Sequence, residues 1–379
     1  MKDMNSSRIS WKDHIYLTCV LFAITCLQQG KLEGYLVICL ALLGIGTFWR
    51  LVRYPRISIK PSLFTVWFCC LWVYIFINGF LSPAYFGWRT VAIYMLPVVC
   101  TMIFYSPYQN QESLWKILRT SSVWATVLLL IYITAFELPN ILAGATRIGN
   151  SASGNVNSVA LYLCYFSSVI LYSILFENRR RLIPLLLVTF GFILLTGSKK
   201  GLLGVICVLG LLSICRYKWR VYKYVIPIIV LIVVGYIILQ TDYFYNILGR
   251  RLNDFYHTLT GENINGSTAE RTGMYQLGWF YFKQAPVFGN GMGYFSRESI
   301  YQTYSHNNYI ELLVSCGLCG LLMYYSFFIV LLKKGWNIVK QNAVGYLIIC
   351  LILLHLIFDF ASVSFYSGAL FYIFLFFIS

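Results

Sequence analysis

A chain of 379 residues with a net charge of +16 would suggest two or three basic soluble domains, but hydrophobic residues make up 59% of it and charged residues only 11%. Soluble domains carry about 25% charged residues, and 13 acidic and 29 basic side chains cannot cover the water-facing surface of a chain this long. With a mean hydropathy of +0.71, the composition excludes a disordered chain, a secreted soluble enzyme and a large cytoplasmic domain, and it indicates an all-α integral membrane protein.

Twelve apolar runs qualify as membrane-spanning helices, because a hydrocarbon core of about 30 Å needs about 20 apolar residues per helix. They lie at approximately 15–29, 34–50, 62–81, 86–105, 120–138, 157–176, 181–197, 201–216, 222–240, 307–332, 343–363 and 365–379, the first and last being short. The sequence therefore predicts a single polytopic domain over residues 1–379 with about 12 transmembrane helices. Residues 241–305 form one large loop between spans 9 and 10.

The placement of the basic residues predicts the orientation of the chain. With the N-terminus in the cytoplasm, 19 of the 29 Lys and Arg residues fall in short cytoplasmic connections. This is the positive-inside asymmetry. The asymmetry explains most of the net charge, so no nucleic-acid partner is needed to account for it. It also places the 241–305 loop on the outer side.

Three polar segments on the outer side interrupt the apolar pattern: the connection 137–157, the tight turn 196–201 and the long loop 241–305. Their cations include Arg147, Lys199, Lys200, Arg250, Arg251 and Arg271. Lysines on the outer side oppose the positive-inside rule, and arginine suits bidentate binding of phosphate. A site for an anionic ligand would explain both. Surface ion pairs or contacts with lipid headgroups are the alternative for any single cation.

His306 lies where the long loop enters the tenth span. An ordinary histidine pKa near 6.5 suits either a base or a cationic anchor at the outer interface. The alternative is a polar helix start capped by Ser305, with Gly317 and Gly320 permitting close helix packing.

Three ionisable residues fall inside predicted spans, namely Glu311, His355 and Asp359. Such residues are costly in a membrane and are usually functional. His355 and Asp359 are four residues apart and share a helix face, and Asp359 falls near the outer end of its span. A structural pair that ties helices together is the alternative.

The motifs of nucleotide and metal chemistry are absent from the sequence, which contains no P-loop, Asp-x-Asp or His-Glu-x-x-His. Cys316 and Cys319 form a Cys-x-x-Cys without a second pair or a nearby histidine pattern, so no metal site is predicted. The 12 cysteines all lie in or beside apolar runs, as free cysteine usually does.

Taken in chain order, the polar motifs resemble those of the bacterial O-antigen polymerase and O-antigen ligase superfamily, which are polytopic glycosyltransferases of surface-polysaccharide assembly. The similarity covers roughly residues 145–335. It is carried by the outer segment 147–157, the turn 196–201, Arg271 followed by 286–295, and His306-Asn307 followed by Gly317 and Gly320. Two positions depart from the family pattern: Lys199 stands where arginine is usual, and Ser315 where glutamate is common.

The resemblance implies a metal-independent enzyme without a cofactor in the bacterial cytoplasmic (inner) membrane. Its activity would be to polymerise undecaprenyl-pyrophosphate-linked repeat units into O-antigen or capsular polysaccharide on the outer face. An O-antigen ligase, which transfers the glycan to lipid A core, is the alternative. The implied partners are the lipid-linked glycans, membrane lipids, and a chain-length regulator and flippase of the same pathway.

For the site, the resemblance implies catalytic roles for His306 and Arg271. The residues implied to bind the pyrophosphate are Arg147, Lys199, Arg250 and Arg251, and those implied to support the site are Asn157, Asn307, Glu311, His355 and Asp359. A transporter or flippase of a lipid-linked anion is a more distant alternative, because such proteins usually contain repeated halves and no internal repeat is visible here. A scaffold protein would not need the polar loop.

Overall fold

The computed structural model describes residues 9–27, 36–53, 62–80, 91–108, 110–142, 148–149, 155–218, 245 and 267–379. Within these ranges every regular element is a helix. The reason is the apolar composition of the runs, since a helix satisfies its own backbone polar groups where neither water nor a neighbouring strand can do so.

The helices alternate with short connections along most of the chain. In order they are α1 (Trp11–Leu27), α2 (Leu36–Arg53), α3 (Leu63–Phe80), α4 (Leu96–Tyr105), α5 (Gln111–Leu142), α6 (Val156–Phe176), α7 (Ile183–Leu195), α8 (Lys199–Tyr217), α9 (Ser267–Gln284), α10 (Tyr294–Glu298), α11 (Asn308–Val339), α12 (Val344–Asp359) and α13 (Ala369–Ile378). A π-helical turn, Val91–Met95, leads into α4, and a 3₁₀ turn, Arg180–Leu182, leads into α7.

Five of these helices, α3, α5, α6, α8 and α11, are long and apolar enough to cross a membrane. Each of the eleven predicted spans within the described ranges coincides with a helix, and the predicted span 222–240 lies outside those ranges. The all-helical, multi-spanning class is therefore confirmed. The total of 12 spans stays a prediction.

The last predicted span, 365–379, forms a short helix in the centre of the protein. Its ten residues extend only about 15 Å, half the thickness of a hydrocarbon core. All of α13 except Phe376 is buried, against α3, α4 and α5 among others. The outer helices provide the apolar surface that would face lipid. On them, Phe48 and Phe80 are 67% and 81% exposed.

The described part of the long loop, residues 267–305, is largely helical and packs on α11 through α9 and α10. Residues 286–291 also replace two hydrogen bonds of α11. In a regular helix Leu318 and Cys319 would donate to the carbonyls four residues earlier. Here their N–H groups donate to Pro286 (2.9 Å) and Val287 (3.1 Å), and the vacated carbonyls accept from Asn290 and Gly291.

Gly317 makes this exchange possible because it breaks α11 with φ 64° and ψ −165°, a conformation open almost only to glycine. A Cβ atom at Gly317 would lie 2.4 Å from the Val287 carbonyl oxygen, and one at Gly289 would lie 2.4 Å from the Ser315 carbonyl carbon. Gly289 and Gly317, one from each of these two motifs, therefore serve one backbone contact. That contact places the loop beside the start of α11.

Candidate functional site

A cavity of about 190 Å³ lies where α6, α8 and α11 begin and α12 ends. Its wall combines residues from both halves of the chain. The described residues that line it are Tyr94, Asn155, Asn157, Ser158, Leu161, Tyr162, Tyr165, Lys200, Arg271, Tyr304, His306, His355, Phe358, Asp359, Ser362, Val363, Ser364, Tyr366, Ser367, Gly368, Leu370 and Phe371. Basic side chains occupy one part of the wall, and the rest combines hydroxyl, amide, aromatic and aliphatic groups with a carboxylate.

One part of the wall consists of Lys200 on α8, Arg271 on α9 and His306 just before α11. Burial lowers the pKa of His306 from 6.5 to about 4, and the charges of Arg271 and Lys200 act in the same direction. The lowered pKa favours the neutral ring of His306 over a cationic anchor, first because of burial and then because of the nearby Arg271 and Lys200. The neutral ring can still donate or accept a hydrogen bond.

The backbone around His306 turns the chain into α11. His306 itself has φ +55°, which histidine adopts more readily than most residues. The helix is capped by Asn307, whose side-chain oxygen accepts from the N–H groups of Tyr309 (2.9 Å) and Ile310 (3.2 Å). The expectation that Ser305 caps this helix is wrong, because Ser305 lies two residues before the N-cap position, which Asn307 occupies. Its hydroxyl instead donates to the Asn307 carbonyl at 2.9 Å.

Glu311 and Asn307 hold the turn rather than line the cavity. The Glu311 side chain is 3% exposed, and its Oε2 accepts from the backbone N–H of Ser305 at 2.8 Å. Ser315, where the family commonly has glutamate, is fully buried beside the break in α11. Glu311 and Asn307 thus brace the residues on either side of His306.

A second wall of the cavity joins two of the polar segments singled out in the sequence. Ser198 caps α8 by accepting from the Gly201 N–H at 3.3 Å, and its hydroxyl donates to Asn157 Oδ1 at 2.9 Å. The Ile148 N–H donates to the Leu195 carbonyl at 3.2 Å. Through Ile148 and Asn157, the polar segment 137–157 is joined to the turn before α8, with Asn157 in the cavity wall.

Lys200, rather than the predicted Lys199, contributes the lysine of this cavity. Consecutive residues at the start of a helix point about 100° apart, so the two side chains face different surroundings. The sequence places both lysines in the same turn and contains nothing that distinguishes them. Lys200 is therefore the lysine that lines the cavity, and a phosphate contact by Lys199 stays a prediction.

We expect Lys200→Ala to lower turnover by about tenfold or more, because it removes a cation from the cavity, and Lys199→Ala to lower it far less. The measurement is product formation per amount of folded protein in membranes. Equal losses in the two variants would contradict the assignment of the site lysine. The two substitutions remove the same charge from the same helix turn, so each serves as the control for the other.

His355 and Asp359 lie deep in the cavity, 2% and 0% exposed. Both line it, as does Asn157, so three of the five predicted supporting residues are part of the wall. Arg147, Arg250 and Arg251 lie outside the described residues. Within the described part of the chain there is no group of three or more His, Cys, Asp or Glu side chains that could hold a metal ion.

Sequence reasoning missed the tyrosines of the wall and Ser364. Five tyrosines line the cavity, at positions 94, 162, 165, 304 and 366. The chain contains 30 tyrosines, mostly in apolar runs, and no spacing marks these five. A signal was available for Ser364, which follows Asp359 in the polar stretch Ser362-Val-Ser364 between two apolar runs.

Apolar helices long enough to span a membrane define a polytopic membrane protein, and its polar cavity lies at one end of the helix bundle. Residues 184–325 match the family model described as O-antigen ligase, and the resemblance to the O-antigen polymerase and ligase superfamily is confirmed over this region. The region contains Lys200, Arg271 and His306. No curated protein matches the sequence. The family implies a polymerase- or ligase-type glycosyltransferase and does not distinguish the two.

Proposed function

We propose that the protein is a polymerase that joins undecaprenyl-pyrophosphate-linked oligosaccharide repeat units on the outer face of the bacterial cytoplasmic membrane. The observation that supports this most strongly is the meeting of Lys200, Arg271 and His306 in one cavity. They come from three separate parts of the region that matches the family. The cavity lies at an end of the bundle, where the headgroup of a lipid-linked substrate would be located.

The proposed reaction needs stabilisation of a pyrophosphate leaving group. An acceptor hydroxyl attacks the anomeric carbon of the donor glycan, and the bond from that carbon to the pyrophosphate oxygen breaks. Cations fixed near the departing oxygens favour this step, and Arg271 and Lys200 would supply them. Neutral His306 would donate a hydrogen bond to a phosphate oxygen. Arg147, Arg250 and Arg251 stay proposals for further phosphate contacts.

The outer location of the cavity is supported by the charges at the opposite end of the bundle. α6 and α8 both begin at the cavity. At their far ends lie Arg179, shortly after the end of α6, and Arg216, in the last turn of α8. α11 also begins at the cavity, and its far end lies next to Lys340. Basic residues at these far ends are those that the positive-inside rule assigns to the cytoplasm.

Polymerase and ligase differ in the acceptor that they require, and this difference provides the test. A polymerase uses the lipid-linked repeat unit as both donor and acceptor, so this substrate alone should suffice. We expect the purified protein, given undecaprenyl-pyrophosphate repeat units and a chelator, to produce a ladder of multiples on a gel. Protein with Arg271→Ala serves as the inactive control.

Two outcomes would contradict parts of this proposal. If product forms only after lipid A core is added, the protein is a ligase. If the ladder requires an added divalent metal, the stabilisation of the leaving group by side-chain cations alone is wrong, although the family assignment stands.

A further inference from the structure

The floor of the cavity contains a buried carboxylate with an extensive set of hydrogen-bond donors. Asp359, the last residue of α12, is fully buried. Its Oδ2 lies 2.8 Å from the Tyr325 hydroxyl and 3.2 Å from Asn308 Nδ2, and its Oδ1 lies 2.5 Å from Ser364 Oγ. In its ionised state the Asp359 carboxylate only accepts hydrogen bonds, so in that state all three neighbours donate to it.

Counting the donors then determines the direction of every bond in a longer chain. The single hydroxyl proton of Ser364 points to Asp359, so the Tyr324 hydroxyl at 3.0 Å must donate to Ser364 Oγ. The proton of Tyr324 is then used, and His355 Nε2 at 2.9 Å must be the donor to Tyr324. His355 Nδ1 is left as the acceptor of the Tyr165 hydroxyl at 2.7 Å. The resulting chain, Tyr165–His355–Tyr324–Ser364–Asp359, has all of its donors directed toward the carboxylate.

This chain touches the cavity at several points. Tyr165, His355, Ser364 and Asp359 all line it, whereas Tyr324 is completely buried. Phe371 stacks on the His355 ring at 3.6 Å between ring centroids and holds the ring in place. Ser364 therefore places in the cavity a hydroxyl that donates its hydrogen bond to the buried carboxylate of Asp359.

The proposed transfer reaction releases one proton from the acceptor hydroxyl, and that proton needs a destination. Burial lowers the pKa of His306, and the neighbouring Arg271 and Lys200 lower it further, so His306 is a weak base. Arg271 carries a permanent positive charge, and Arg271 and protonated Lys200 are suited to the leaving group. Among the described residues that line the cavity, Asp359 is the carboxylic acid.

We propose that Asp359 accepts the proton of the acceptor hydroxyl through the hydroxyl of Ser364. This inference rests on the proposed glycosyl transfer. The acceptor oxygen bonds to the anomeric carbon as the bond to the pyrophosphate oxygen breaks, and the electron pair leaves with the lipid pyrophosphate. The acceptor proton passes to Ser364 Oγ while the proton of Ser364 passes to Asp359 Oδ1. The neutral acid then returns the proton to water before the next turnover.

A purely structural role for the same residues makes a different prediction. Asn308 joins Asp359 to the turn after α12, because its Oδ1 accepts from the N–H groups of Ser364 (2.8 Å) and Phe365 (3.0 Å). If Asp359 serves only to hold this junction, its loss would lower the amount or stability of folded protein. Turnover by the protein that does fold would then be unaffected.

The experiment compares the turnover of purified, full-length variants with undecaprenyl-pyrophosphate repeat units, corrected for folded protein. We expect Asp359→Asn to lower kcat by about 100-fold with the donor KM changed by less than about threefold. Ser364→Ala, which keeps the carboxylate, should lower kcat by about tenfold or more and carries the test if Asp359→Asn does not fold. Removal of the acceptor proton belongs to the chemical step and not to donor binding. The variants should therefore lower kcat and leave the donor KM nearly unchanged.

Asp13→Asn is the matched control. Asp13 is also buried, 1% exposed, and accepts from a tyrosine hydroxyl, that of Tyr108 at 2.6 Å, but it lies outside the cavity. We expect it to keep a kcat within about threefold of wild type per folded protein. Wild-type kcat in both folded Asp359→Asn and Ser364→Ala would overturn the proposal. Absence of transfer by the wild-type protein with either acceptor would instead refute the proposed function.

Discussion

Replacing Arg271 or His306 by alanine is expected to abolish polymer formation while the protein still accumulates in the membrane. Arg271 is half-buried at the cavity, where a fixed cation stabilises a departing pyrophosphate far better than water does. Loss of one such contact typically lowers the rate by about 100-fold or more. The measurement is the length distribution and amount of polymer made by the purified variants from lipid-linked repeat units.

Arg297→Ala is the control for this prediction. Arg297 belongs to the same outer segment but is exposed, pairs with Glu298 at 2.5 Å and lies 5.1 Å from the Tyr294 ring, outside the cavity. It should leave chain lengths near those of wild type. If the Arg271 and His306 variants both made polymer of wild-type length and amount, the cavity would not be the site of transfer.

The second large effect is expected from Gly317→Ala, which should destabilise the protein by about 3 kcal/mol. Alanine cannot readily adopt φ 64° and ψ −165°. Its Cβ would also lie 2.4 Å from the Val287 oxygen and 2.6 Å from the Gly289 nitrogen, which are backbone atoms that cannot rotate away. Thermal unfolding of detergent-purified protein, together with the yield of folded protein, measures the effect.

Gly210→Ala, in the interior of α8, is the matched control, because a Cβ there meets nothing within 4 Å. Alanine is favoured over glycine inside a helix by about 1 kcal/mol, so this variant should be as stable as wild type or slightly more so. Equal stability of the Gly317 and Gly210 variants would show that the loop 286–291 does not depend on the break in α11.

The helical, multi-spanning class could be predicted because it depends on composition and run length, which are local properties. Each predicted span within the described ranges is a helix for this reason. The burial of α13 could not be predicted. A run such as Ala-Leu-Phe-Tyr-Ile-Phe-Leu-Phe-Phe-Ile has the same composition whether lipid or protein surrounds it, and only the packing of the other helices decides between them.

The site was predictable in its residue types and not in its geometry. Arg271, His306 and Asn157 could be singled out because charged and polar groups are conspicuous between apolar runs. The choice between Lys199 and Lys200 depends on how α8 is rotated about its axis. That rotation is determined by the contacts of α8 with α6 and α12.

The amino-acid sequence by itself determined that the chain is a polytopic helical membrane protein, and its ordered motifs indicated the O-antigen polymerase and ligase superfamily. The tertiary structure decided which groups share a cavity, that burial lowers the pKa of His306 there, and that Asp359 receives hydrogen bonds from α11 and from the turn before α13. The physical reason is distance along the chain. Lys200, Arg271, His306 and Asp359 are separated by between 35 and 159 residues, and the charge and hydrogen bonding of each depend on neighbours that only the folded helix bundle brings within reach.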